Sequence, residues 1–174
     1  MMKSIKYNAI VNGILSVANI IFPLITFPYI SRVLGVETNG KLNFASASLT
    51  YFSLFATLGL STYGIKACAR VREDRTKLSK TVHELLLINA VTTTIACIAL
   101  VISIFVVPRY HQEWKLLFIY SWNMILNVVG MNWLYSAIER YDYITKRSIA
   151  FKFIGVVLMF LFVHSPADSY KYAV

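Results

Sequence analysis

The chain has 174 residues, a formal net charge of +9, and a composition that is 57% hydrophobic but only 14% charged, against about 25% charged in an average soluble domain. So few charges cannot cover the surface of a soluble protein of this size, and so much apolar mass excludes disorder. The balance argues against a soluble α/β enzyme and points to a membrane protein.

The placement of the charges carries that reading along the chain. Crossing a hydrocarbon core takes about 20 mostly apolar residues. Tyr7 to Ser31 holds no charge, which predicts a first span near 11–31. Lys3 and Lys6 precede it as in a secretory leader, but the apolar run is too long and no A-x-A site ends it, so a retained helix is expected. Asn8, Asn12, Ser16, Asn19, Pro23 and Thr26 fall on one face at helical spacing. Pro23 and Pro28 each remove a backbone donor and are expected to kink the helix, as a moving part or as a static bend. Arg32 closes the run, and Gly35 and Gly40 bracket a tight connection to the second span.

That second span lies near 42–63, inside the uncharged stretch Leu42 to Ile65, with Asn43, Ser46, Thr50, Thr57 and Ser61 along one face. A basic loop, 64–84, follows. The third span, near 85–107, carries a weaker stripe of Asn89, Thr92, Thr93 and Ser103. The fourth, near 115–135, aligns Tyr120, Asn123, Asn127 and Gly130 opposite Phe118, Trp122, Ile125 and Val129. After a loop at 136–148, a shorter run predicts a fifth span near 149–164. Lys152 would then sit one turn inside it and reach back to the headgroups. Uncharged amides and hydroxyls are unwelcome against lipid, so the stripes should face other helices or a shared polar cavity.

Lys and Arg concentrate on the cytoplasmic side of membrane proteins. With the N-terminus inside, twelve basic residues fall inside and five (Arg32, Lys41, Arg109, Lys115 and Lys171) outside. The N-terminus is therefore expected in the cytoplasm and the C-terminal residues outside. The positive charge reports topology and attraction to anionic lipid, and no nucleic-acid partner is expected. Cys68 and Cys97 differ too much in depth to pair. No metal-ligand spacing, cofactor motif or catalytic constellation is present, so neither a metal, a cofactor nor an enzyme is expected. No acidic residue lies deep in a span, which argues against a complete ion-coupled antiporter within these residues.

The run Phe27-Pro28-Tyr29-Ile30-Ser31-Arg32-Val33-Leu34-Gly35, then Gly40-Lys41-Leu42-Asn43-Phe44-Ala45, resembles the start of bacterial polysaccharide and O-antigen flippases of the multidrug/oligosaccharidyl-lipid/polysaccharide exporter superfamily. Gly130-Met131-Asn132-Trp133-Leu134-Tyr135 and Glu139-Arg140-Tyr141-Asp142-Tyr143-Ile144 continue the likeness, which covers about residues 5–165. The resemblance implies an all-α, polytopic transmembrane bundle of five spans, part of the N-terminal lobe of a two-lobe flippase in the bacterial inner membrane. It implies lipid diphosphate-linked oligosaccharide as the substrate moved, with membrane lipid and other polysaccharide synthesis proteins as partners. Such proteins have more helices than five, so residues 1–174 are expected to be an N-terminal fragment, inactive alone, whose second lobe is absent. Arg32, Asn12, Asn19, Asn123 and Asn127 are the expected substrate path. Arg32 either anchors the helix end or meets a diphosphate in a central cleft.

A small-solute exporter of the same superfamily and a membrane scaffold for a synthesis complex are the alternatives. Replacing Asn12, Asn19 and Asn123 together with Leu separates them. Export by a parent protein carrying the triple change is expected to fail while partner binding survives, as measured by surface glycan display and co-purification.

Overall fold

The computed structural model describes residues 5–173. Lys3, counted above among the basic residues of the N-terminal side, lies outside them, as does Val174. Among the described residues the architecture is entirely helical: α1 (Ile5–Thr57), α2 (Leu60–Arg70), α3 (Arg75–Val106), α4 (Pro108–Gln112), α5 (Trp114–Gly130), α6 (Asn132–Ala137), α7 (Tyr141–Phe162) and α8 (Ser169–Ala173), with a 3₁₀ turn at Pro166–Asp168 before α8. Helices satisfy their own backbone groups, so a chain this apolar has few other options in lipid. Lys6–Arg70 and Arg75–Val106 are long and apolar enough to cross a membrane.

α1 is two arms joined at one residue. Gly35 has φ 74° and ψ 171°, the one non-helical conformation within the helix. That region of backbone space is essentially open only to glycine. The amide of Asn39 donates to the Ser31 hydroxyl at 3.4 Å across the break. Eight residues of straight helix would separate those two positions by about 12 Å, so the chain doubles back at Gly35. A connection of several residues between Arg32 and Leu42, expected from the sequence, is therefore a single residue. Gly40 lies within helix, as do Pro23 and Pro28. Both prolines remain inside helical backbone, and the discontinuity falls seven residues beyond Pro28.

Three contacts tie the first arm to α7. The Thr145 hydroxyl donates to the carbonyl of Val11 at 3.3 Å. The Lys152 ammonium donates to the side-chain oxygen of Asn19. The Tyr29 hydroxyl donates to the carbonyl of Val163 at 2.8 Å. The sequence offsets are 134, 133 and 134 residues, so the two helices run parallel in constant register. The second arm runs antiparallel to α3: Phe44 meets Tyr110 at 5.6 Å between ring centroids, and the Thr92 hydroxyl donates to the carbonyl of Ala56 at 2.6 Å.

The core is divided between the two ends of the bundle. Around the Gly35 turn, Leu34, Leu42, Ala45, Leu117 and Val163 are buried together. At the other end α2 and α6 pack across each other, burying Cys68, Leu85, Trp133 and Ala137. The flanks expose large apolar side chains, including Ile14, Ile20, Leu24, Phe55, Ile95, Phe105, Trp122 and Phe153. Apolar exposure on this scale needs a lipid solvent.

Gly35→Ala is expected to destabilise the bundle by about 1–3 kcal/mol through backbone strain, since no atom lies within 4 Å of the position its Cβ would take. Gly40→Ala, in open space inside a helix, should instead be stabilising by up to about 1 kcal/mol. Thermal unfolding of the two variants in detergent checks the contrast.

Candidate functional site: a cationic cleft between the first and last long helices

A cleft of about 880 Å³ opens beside the first arm of α1. Phe22, Pro23 and Thr26 form one wall, Phe151, Lys152, Gly155 and Met159 of α7 the other, with Tyr120 of α5 behind. Lys171 and Tyr172 of α8 border it toward the Gly35 end. Gly155 contributes no side chain, which leaves room on the α7 wall.

Lys152 is the chemical centre of this cleft. It lies midway along α7, eleven residues from its start and ten from its end, about 15 Å along the axis from either. The first two turns of α7 carry Asp142, Lys146 and Arg147, so the helix extends beyond the uncharged run on that side. Asn19, likewise near the middle of the first arm, accepts from its ammonium, and the Phe22 ring centroid is 5.9 Å from Nζ. Among the described residues no carboxylate forms an ion pair with it. Lys171, in contrast, is neutralised by Asp168 at 2.6 Å. That contact, with the Ser165 hydroxyl and the His164 amide, holds the Asp168 carboxyl well below the usual carboxylate range.

Pro23 adds to the polarity of the wall. It has no N–H, so the Asn19 carbonyl loses the donor that an α-helix would supply. Asn19 thus turns two acceptors toward one stretch of an otherwise apolar helix.

The expected site residues divide among several places. Asn19 and Pro23 are at the cleft. Asn12 is exposed two turns away on the same face, its carbonyl accepting from the Ser16 hydroxyl at 3.0 Å. Arg32 is exposed in the last turn before Gly35, and Asn123 is exposed on α5 one turn from Tyr120; neither lines the cleft. Asn127 belongs to a second polar cluster with Ser53, Thr57, Asn89 and Thr93, around a gap of only about 10 Å³. Of the stripes on the second, third and fourth predicted spans, Thr57, Asn89, Thr93 and Asn127 line it, while Asn43, Ser46, Thr50, Ser61 and Asn123 are exposed. Lys152 was legible as the lone charge between Ser148 and Phe162, but its contact with Asn19, 133 residues away, was not.

A family model described as "Polysaccharide biosynthesis protein" matches residues 5–174. A protein of Escherichia coli (strain K12) named "Putative O-antigen transporter" is 25% identical over 165 residues, 95% of this chain and 40% of that protein. A protein of the same name from Shigella dysenteriae is 28% identical over 171 residues, 97% of this chain and 41% of its own length. The chain thus spans about two-fifths of the curated relatives it matches. No solved structure matches.

Removing one partner of the Lys152–Asn19 contact should cost more than removing the charge. Asn19→Leu is expected to lose about 1–3 kcal/mol, because the ammonium is left without its acceptor among apolar neighbours. Lys152→Met, of similar length and uncharged, should be neutral or stabilising, and should cancel the cost of Asn19→Leu when the two are combined. Melting temperatures of the three variants measure this.

Proposed function

Because this chain belongs to the polysaccharide biosynthesis protein family, we propose that it is part of a membrane flippase that moves lipid diphosphate-linked oligosaccharide across the bacterial cytoplasmic membrane. It is a membrane-associated, multi-pass protein. In this reading the two arms of α1, α3, α5 and α7 are its five membrane passes, alternating in direction, with the N-terminus in the cytoplasm. The parallel run of the first arm and α7 supports an odd number of passes between their starts and the far side. Lys6, Lys66, Arg70, Lys77 and Arg140 gather at the α2 end, which agrees with that end being cytoplasmic.

The observation that carries the substrate class is Lys152. A lysine within the apolar run of a membrane helix is uncommon and marks a pathway by default. Here it stands without a carboxylate, held by the Asn19 side chain, in a cleft whose other wall supplies the hydroxyl of Thr26. A diphosphate supplies the missing negative charge. Sugar hydroxyls suit the amide and hydroxyl groups, and the polyprenyl chain suits the apolar flank that the cleft opens onto. Lys171, which borders the same cleft from α8, offers a second cationic station once Asp168 is displaced by the ligand.

Binding of a short-chain polyprenyl diphosphate sugar to the detergent-solubilised chain tests this. Lys152→Met is expected to weaken it by about tenfold, as for one lost charge-assisted hydrogen bond, while binding of the uncharged polyprenyl alcohol stays the same. Equal affinity of both chains for the diphosphate would remove Lys152 from the path.

A further inference from the structure

The α2 end of the bundle carries a feature that the cleft does not use. Among the described residues, the non-glycine ones with left-handed backbone are Leu58 (φ 41°), Met131 (φ 43°) and Glu139 (φ 56°). All three flank α2 or α6. Leu58 precedes α2 together with Gly59 (φ 73°), Met131 separates α5 from α6, and Glu139 turns the chain from α6 into α7. A non-glycine residue held there stores strain of about 1 kcal/mol or more and persists only where its surroundings over-determine it.

The surroundings here are two arginine clasps and one close packing contact. Arg72, in the turn after α2, meets Glu139 at 2.6 Å, both side chains about one-third exposed. Arg147 of α7 donates to the Gly130 carbonyl at 3.1 Å and to the Asn132 side chain, while lying over the Tyr143 ring. Gly64 of α2 lies flat on Trp133 of α6: a Cβ there would be 2.9 Å from the indole ring. Beneath this layer Leu85 joins the α2–α6 core, and one turn further along α3 Asn89 begins the polar cluster with Ser53, Thr57, Thr93 and Asn127. Five polar side chains converge there on a gap of about 10 Å³, barely room for one water.

We propose that α2 and α6 form a latch over a collapsed polar passage between the second arm of α1, α3 and α5, and that the Arg72–Glu139 pair is its releasable bolt. The latch closes one end of the bundle, and its release lets the strained turns at Leu58, Met131 and Glu139 relax and the passage widen. The bolt suits release because a partly exposed ion pair holds by a small margin, while the strain works against it. The latch is independent of what the cleft binds, since its readout is a thiol and not a ligand.

Cys68 is the native reporter. It is fully buried between α2 and α6, and burial pushes its thiol pKa up, so it reacts only when the layer opens. The experiment is the rate of maleimide labelling of Cys68 in membranes containing the Cys97→Ala chain. Glu139→Gln and Arg72→Gln should each raise the rate by about threefold, the shift in open population that loss of one partly exposed pair allows. The exchanged pair, Arg72→Glu with Glu139→Arg, should return it to the parent value. Gly64→Ala, which keeps both charges and displaces Trp133, should raise it as well. Unchanged labelling in both neutralised chains overturns the latch, as does an exchanged pair that labels as fast as either single change. The counterpart chain, Cys68→Ala with Cys97 retained, should label at a constant rate throughout. An equal rise at Cys97 would mean general loosening and also overturns the proposal.

Discussion

Thr145, Lys152 and Tyr29 join the first arm of α1 to α7 at three levels, in parallel and with a nearly constant offset of 133 or 134 residues. The rest of the bundle depends on this alignment. The helices between the two must carry the chain back and forth so that α7 starts at the same end as α1, which they do through the Gly35 turn, α3 and α5. Of the three ties, two are capped by backbone carbonyls and are structural. The third joins an ammonium to an amide at the cleft. The same alignment that closes the bundle therefore places a lysine with no carboxylate partner among the described residues midway along both helices.

That contact sets a partly exposed charge against one neutral partner, with little Coulombic compensation. The walls of the cleft are otherwise chosen for lipid: Phe22, Phe151, Ile154 and Phe162 dominate them. Lys152 stands among them facing a helix whose Pro23 frees a further acceptor. Lys171 shows the alternative arrangement a few turns away, where Asp168 meets the charge and the region serves as a cap to the bundle.

Much of the helical order could be read from the sequence, because four long uncharged runs leave little else for the backbone to do. The polar stripes also pointed the right way, for Thr57, Asn89, Thr93 and Asn127 do meet. What the sequence did not disclose was depth and curvature. Charge spacing locates the edges of apolar runs, but a helix can extend well past its apolar part, as α7 does from Tyr141. Similarly, Gly35 and Gly40 look equivalent as letters, and only the backbone reveals that one is a reversal and the other an ordinary helical residue. Long-range partners such as Arg72 and Glu139, 67 residues apart, leave no periodic trace.

The two ends of the molecule solve the same problem, turning a helix back into the bundle, by opposite means. At the Gly35 end the reversal uses the one residue type without strain in that conformation, and the surrounding Leu34, Leu117 and Val163 are almost wholly buried. Nothing there gains by moving. At the α2 end Leu58 shares its turn with Gly59, but the turns on either side of α6 use Met131 and Glu139, where glycine would be easier, and arginine contacts hold those two. A protein that needed only to be stable could have used glycine at both ends. Strain held by polar contacts is a state with a small gap to its neighbour, which is the physical requirement for a part that opens, and it sits beside the polar cluster that an opening would reach.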